Sequence, residues 1–357
     1  MPRTQPQVTL AAFVEEVWAP RARRRRVAKT WTRDSIVYRR HIRPRLGELP
    51  LTAIDSDELA QWQDELEAAG VGGPTVIKAI GLLSGIFREA ARRSRSTGVS
   101  ANPTLLLERP RATRRRRPRV WGPVVVEKVR HELLAGSLRV GPSKEVAALR
   151  DSLLVSLMAM TGCRPGEALG LRWGDVGERI AISRRLSGDE ILPGTKNGRE
   201  RVVPILPPLA DDLAALRACR PQGGEDWIFR AAAGGHWQEA DWRNFRRRHF
   251  TPALRRVEAE WGRWRAALSD PGAVRESVAG LAATRPYDLG RHTHSAMMLA
   301  SGMSLQRLAS IQGHGMRVLD AAYSEQLTEF AEREEGIDPV LEIERARALV
   351  WSEQDAR

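Results

Sequence analysis

Between Tyr287 and Tyr323 the chain holds Arg291, a Gly313-His314 pair 23 residues further on at the histidine, and Tyr323 nine residues after that. An arginine offers fixed bidentate donors to phosphate oxygens, a histidine exchanges protons near neutrality, and a tyrosine hydroxyl can attack. Upstream, Arg164 stands between the apolar helix read over 145–161 and Pro165, which suits the first turn of a new helix with Glu167 near its start. That placement leaves its guanidinium free to point into a cleft. Lys196 falls in Thr195-Lys196-Asn197-Gly198-Arg199, whose Asn-Gly step is the signature of a tight hairpin.

The elements that must carry these groups follow from periodicity. Met297, Met298 and Leu299, then Leu305, Leu308 and Ile311, recur at helical intervals about Gly302, which reads as a helix stop. A further helix after Met316 carries Val318, Leu319 and Tyr323. Residues 179–183 and 201–205 alternate as strands flanking the Asn-Gly turn. Near the N-terminus, 8–19 reads as a helix with Thr9 as its cap, Arg21 to Lys29 as a basic segment, and Thr30 to about Arg43 as a second helix. A third is capped at Asp55 or Ser56 and stops at Gly70, and a fourth begins at Thr75. The fold expected is mainly α with a small antiparallel β-sheet. It divides into an N-terminal helical domain (1–97), a basic linker (98–119), an α+β catalytic domain (120–335) and a C-terminal tail (336–357).

Arg164 with Glu167 three residues on and "LRWGDV" after it, then Arg291, Gly313-His314 and Tyr323 at their spacing, resemble the two catalytic boxes of the tyrosine recombinases, the phage-integrase family. The N-terminal helices, with "LGELPLTAID" and the Asn102-Pro103 exit, resemble that family's core DNA-binding domain. The resemblance implies a site-specific DNA recombinase of a phage or other mobile element. It would cut and rejoin DNA through a 3′-phosphotyrosyl link at Tyr323, with Arg164 and Arg291 on the phosphate, Lys196 protonating the leaving 5′ oxygen, His314 bonding the phosphate or taking the tyrosine's proton, and Glu167 as structural support. It also implies four protomers on two synapsed attachment sites, a possible accessory directionality factor, and no cofactor or metal. A multimer-resolving recombinase and a relaxing enzyme like type IB topoisomerases are the enzymatic alternatives. A DNA-binding accessory protein with a decayed site is the alternative of another class.

One departure supports that last alternative. The family's histidine three residues before the second arginine is here Asp288, with Tyr287 beside it and Gly290 read as an insertion. Tyr287 and Asp288 therefore enter the candidate site, and His292 and His294 stand as alternatives or as packing residues. A tyrosine with a reference pKa near 10 is only about 0.1% ionised at neutral pH, so Tyr323 needs a cationic surround.

The 357 residues suffice for two domains with ordinary cores, and the net charge of +13 points to a polyanionic partner. Residues 1–120 hold 24 Lys and Arg against 12 Asp and Glu, whereas 121–357 hold 33 against 32. The excess therefore sits where a DNA grip is expected: Arg33, Arg39 and Arg40 on the second helix and Arg114, Arg115, Arg116 and Arg117 in the linker. Arg246 and Arg247 add a basic helix over 240–260. Two cysteines without Cys-x-x-Cys spacing argue against a disulfide framework or a zinc site. No apolar run reaches the roughly 20 residues of a membrane span, so a cytoplasmic, nucleoid-associated protein is expected. Nothing before residue 8 reads as a separate arm-site domain. The tail 325–357, with 10 acidic and 4 basic residues, reads as a helix docking onto a neighbouring subunit. Residues 258–283 suggest no function.

Overall fold

The computed structural model describes residues 8–108, 110, 119–135, 142–195, 198, 200–219, 223–313, 315–316, 319–320, 323 and 336–351. The chain forms two compact units, Met1–Arg116 and Arg117–Arg357.

In the first unit, helix α1 runs from 10 to 25 with a π-type turn at Val14–Trp18, and α2 from 28 to 46 with another at Tyr38–Ile42. Thr9 caps α1 by accepting from the Ala12 amide at 3.2 Å. The arginines expected to separate these helices are helical as far as Arg25, because arginine is a good helix former and Arg23, Arg24 and Arg25 face the negative end of the helix dipole. Helix α3 (Ser56–Ala68) is capped by Asp55, and α4 is Gly73–Ala91. Leu10, Phe13, Ile42, Leu46, Trp62, Leu83 and Phe87 form the buried core. Trp62 keeps its indole N–H satisfied by donating to the His41 carbonyl at 2.7 Å. The start of the stretch read as linker is folded back: Asn102 donates to the Ser84 carbonyl and caps a short turn at Pro103–Leu105. The Arg114–Arg117 run lies outside the described residues.

The second unit is built around α6 (Pro142–Thr161), whose residues from 151 to 161 are all buried, as befits a helix apolar on every side. Helices α5 (Pro123–Ala135) and α8 (Pro207–Ala218) pack on it, and α7 (Pro165–Ala168) follows it directly. Strands β1 (Arg179–Ile182) and β4 (Arg201–Pro204) pair antiparallel, with Ile180 opposite Val203. Strands β2 (Arg184–Ser187) and β3 (Glu190–Pro193) form a separate hairpin. The Asn-Gly step thus does not join paired strands. A turn is present, with the Gly198 amide donating to the Thr195 carbonyl at 2.9 Å, but the chain leaves β3 at Gly194, whose amide donates to Ser183 at 2.7 Å. The tight hairpin is at Gly188, where φ is +68°.

Helix α9 runs from 239 to 266, burying Phe245 and Phe250 and exposing Arg243, Arg246, Arg247 and Arg248. The segment after it packs onto α9: Leu268, Val274, Val278 and Leu281 are buried. The Glu258 carboxylate accepts from the Gly280 and Ala282 amides at 2.6 and 2.9 Å. Helix α10 (288–300) opens with a π turn at Asp288–His292, and α11 is Leu305–Gln312.

The C-terminal α12 (Pro339–Trp351), read as a helix docking onto a neighbouring subunit, packs on its own unit in the single chain, burying Ile343, Ala346 and Val350. Arg347 meets Asp212 at 2.6 Å and Glu127 at 3.5 Å, and the buried Arg130 meets the same two carboxylates at 2.6 and 2.5 Å. No helix among the described residues is long and apolar enough to cross a membrane.

Candidate active site

Arg291 lies in the π turn that opens α10 and is 1% exposed. Its guanidinium donates to the Gly162 carbonyl and, at 2.6 Å, to that of Gln312, the last residue of α11. Both acceptors stand at helix C-termini, where unpaired carbonyls and the helix dipole favour a cation. Gly162, at φ +66°, admits this approach because a Cβ there would sit 2.6 Å from both Gln312 Nε2 and His294 Nδ1. Gln312 is itself fully buried, its amide donating to His294 at 2.8 Å and Ser295 at 2.9 Å. Burial holds His294 neutral, its pKa lowered to about 3.

Two more arginines reach the same helix end. Arg201, on β4, donates from Nε to the Ile311 carbonyl at 2.7 Å, and Arg164 approaches the Gly313 carbonyl at 3.5 Å. Three successive carbonyls, 311 to 313, thus each face one guanidinium. Glu167 ties the outer two together, with 2.8 Å to Arg164 and 2.5 Å to Arg201, and also accepts from the Arg164 amide at 2.9 Å. Burial alone would raise the Glu167 pKa, but Arg201 and Arg164 outweigh it and leave it lowered to about 2. The guanidiniums also repel one another across this site, and burial first and Arg164 second push Arg291 down to about 10. Among the described residues, Arg201 Nη1 is buried without a hydrogen-bond partner, an unspent donor beside the helix end.

Tyr323 is 2% exposed, and its hydroxyl is hydrogen-bonded to His292 Nδ1. Burial raises its pKa well above the ordinary phenol value, while the nearby Arg291 charge opposes the rise. His292 Nε2 stands 3.7 Å from Asp288 Oδ1, and Asp288 is held by a two-pronged contact with Arg285 at 2.8 and 2.8 Å. The Tyr287 ring meets the His292 ring edge-on at 5.2 Å. A π turn takes up one extra residue, so Gly290 is absorbed without shifting the rest of the helix, and Tyr287 falls on the turn before Arg291. Lys196 and His314 lie outside the described residues.

Residues 138–323 match the model of the phage integrase family, and residues 9–67 match the phage integrase N-terminal SAM-like domain. The chain belongs to the phage integrase family. The match ends on Tyr323 and takes in Arg164, Glu167, Arg201 and Arg291. The chain is 28% identical over 265 residues to the tyrosine recombinase XerC of Rhodospirillum centenum (strain ATCC 51521 / SW), covering 74% of this chain and 65% of that protein. It is 25% identical over 169 residues to the XerC of Mesorhizobium japonicum (strain LMG 29417 / CECT 9101 / MAFF 303099), covering 47% of this chain and 44% of that one. Each match spans less than two thirds of the relative's length. Among solved structures, the fold is similar to the Tn1549 transposon integrase in complex with transposon right end DNA (16% identity, 97% of this chain and 100% of that one, TM-score 0.58). It is also similar to a lambda integrase tetramer bound to a Holliday junction (14% identity, 86% and 78%, TM-score 0.57).

In this phage integrase chain the structure brings together Arg164, Glu167, Arg291 and Tyr323, with Tyr287 and Asp288 around His292. Arg33, Arg39 and Arg40 are exposed in the first unit, as are Arg246 and Arg247 in the second. The reading from sequence missed Arg201 and Gln312 and did not choose between His292 and His294. Arg201 opens β4, whose next inward residue, Val203, is buried, so Arg201 turns inward as well, whereas the two adjacent valines give no sign of the face in sequence.

Proposed function

We propose that this chain is a site-specific recombinase that cuts and rejoins DNA through a 3′-phosphotyrosyl intermediate, serving a phage or other mobile element as its integrase. The observation that supports it best is the three-arginine helix end beside Tyr323. A phosphodiester resists attack because its oxygens repel the nucleophile and its leaving oxygen departs poorly. Arg164 and Arg291 would bind the non-bridging oxygens, Tyr323 would attack phosphorus, and Lys196 would give the leaving 5′ oxygen its proton, with His314 on the phosphate. The phosphotyrosyl bond keeps the energy of the bond it replaces, so no ATP or metal enters the cycle. Glu167 would hold Arg164 and Arg201 in place.

The first unit would be the core-binding module, gripping the duplex backbone through Arg33, Arg39 and Arg40. Arg114 to Arg117 would follow it along the DNA, and Arg246 and Arg247 would add contacts from the catalytic unit. Four protomers on two synapsed attachment sites, as the lambda integrase tetramer stands on a Holliday junction, would exchange the strands, with an accessory factor setting direction. A second reading, a recombinase that resolves chromosome or plasmid multimers, is favoured by the two XerC relatives.

The test is a nicked suicide duplex selected from a random pool by binding to the protein. The proposal expects a denaturation-resistant DNA adduct that maps to Tyr323 and is lost in Tyr323→Phe. A protein that binds duplexes but never forms the adduct is an accessory binder. Strand exchange between two such duplexes then separates a recombinase from a relaxing enzyme.

A further inference from the structure

We propose that His292 is the catalytic residue that takes the phenol proton from Tyr323, with Asp288 as its positioning residue. This rests on the phosphotyrosyl reading above and deepens it. Attack by Tyr323 requires loss of the phenol proton, and the buried hydroxyl gives that proton up less readily than a free phenol. Among the described residues, two groups meet the hydroxyl, His292 Nδ1 and Ser295. A serine hydroxyl is no base at neutral pH, whereas a neutral imidazole nitrogen is.

The surroundings of the ring fit that use. If Nδ1 accepts from Tyr323, the ring proton sits on Nε2 and points at Asp288 Oδ1, 3.7 Å away, a distance at which the carboxylate steadies the imidazolium that forms. Asp288 is fixed for this by both prongs of Arg285. Among the described residues, the charged and titratable groups around the ring are Asp288 and Arg291 from its own helix, Arg285 and Tyr287 just before it, and Tyr323 across from it. Burial, with Arg291 adding to it, keeps the ring neutral at physiological pH, its pKa lowered to about 4. It is therefore in the accepting form before attack. Phosphate binding is thus assigned to the arginines and proton removal to His292.

The step balances as follows. Tyr323 Oη bonds to phosphorus as the bond from phosphorus to the 5′ oxygen breaks. The phenol proton passes to His292 Nδ1, and the leaving oxygen takes its proton from the general acid on the other side. In rejoining, the 5′ hydroxyl attacks phosphorus and gives its proton back to that general acid, and Tyr323 departs with the proton returned from Nδ1.

The experiment follows single-turnover cleavage of the selected suicide duplex from pH 6 to 10, with the scissile 5′ oxygen replaced by sulfur so that the leaving group needs no acid. His292→Gln is expected to be about 10²-fold slower or more at pH 7, with the gap closing as rising pH ionises the phenol unaided. Lys196→Ala is expected to be restored by the sulfur while His292→Gln is not. Asp288→Asn should show a smaller loss of the same pH form, and Asp288→Glu should recover most of it. A His292→Gln rate within 3-fold of the parent, faster than it, or lower by one constant factor at every pH would overturn the assignment. A parent that cleaves no duplex sinks the phosphotyrosyl reading instead. The assignment is then decided by ¹⁵N NMR of the parent's histidines: a protonated Nε2 and an accepting Nδ1 at His292, perturbed in Tyr323→Phe, supports it, and a protonated Nδ1 overturns it.

Discussion

Arg291 carries its charge into the interior of the second unit, where it meets the C-terminal ends of two helices. The Gly162 and Gln312 carbonyls take its donors, and the fork of a guanidinium meets two acceptors that a single ammonium cannot match. Arg291→Lys is therefore expected to leave DNA binding within a few-fold of the parent and to slow adduct formation on the suicide duplex by about 10²-fold or more. Glu167 is the other residue on which the cluster depends. Replacing it with Gln leaves Arg164 and Arg201 facing each other without a carboxylate and should cost about 3–5 kcal/mol in denaturant unfolding. The positions of Arg164, Arg291 and Tyr323 were legible in the sequence from the Pro165 helix start beside the first and from the spacing of the other two about Gly313-His314. His292 was not, since a His-x-His on a helix gives two candidates. Only the packing shows that His294 turns inward to Gln312 while His292 meets the tyrosine.

At the level of elements, the site depends on α6 and α10 lying close together. Gly290 makes that possible: a Cβ there would stand 2.4 Å from the Met158 Cβ and 3.1 Å from its backbone. Gly290→Ala should destabilise the fold by roughly 1–3 kcal/mol, measured by urea unfolding, and should slow cleavage by displacing Arg291. The helices themselves were readable from apolar spacing and from caps such as Thr9 and Asp55. Strand pairing was not. The Asn-Gly signal is local, whereas the pairing of β1 with β4 depends on Ile180 and Val203 both reaching the core around α6, a contact between residues far apart in sequence. Arg201 shares that origin, since its role follows from a strand partner that no local pattern specifies.

For the whole molecule, buried ionisable groups and surface charge each have a measurable consequence. His292 and His294 stay neutral when folded but would take up protons in the unfolded chain below its ordinary 6.5. The unfolded state therefore binds more protons as pH falls from about 6.5 toward 4, and stability should decline over that window, on the order of 2–3 kcal/mol for His294 by pH 4.5. Glu167 acts in the same direction at lower pH. Its folded pKa near 2 lies below its ordinary 4.5, so its contribution is complete above 4.5 and is lost as pH falls toward 2. Thermal unfolding from pH 7 to 4.5 should thus show a decline that His294→Gln flattens. On the surface, the 24 Lys and Arg against 12 acidic residues in 1–120 should make DNA affinity fall steeply with salt. Arg33→Gln, Arg39→Gln and Arg40→Gln should each lower the slope of log affinity against log salt by about 1 in anisotropy titrations.

The most direct measurement is a crystal structure of the protein with vanadate and a binding-selected duplex that is interrupted at one phosphate, with hydroxyls at both ends of the gap. The expected result is a vanadium atom bonded to Tyr323 Oη, with Arg164 and Arg291 each donating to its oxygens at about 3 Å. Vanadate bound elsewhere, with Tyr323 unbonded and both arginines still facing only their carbonyls and Glu167, would contradict a shared phosphate site.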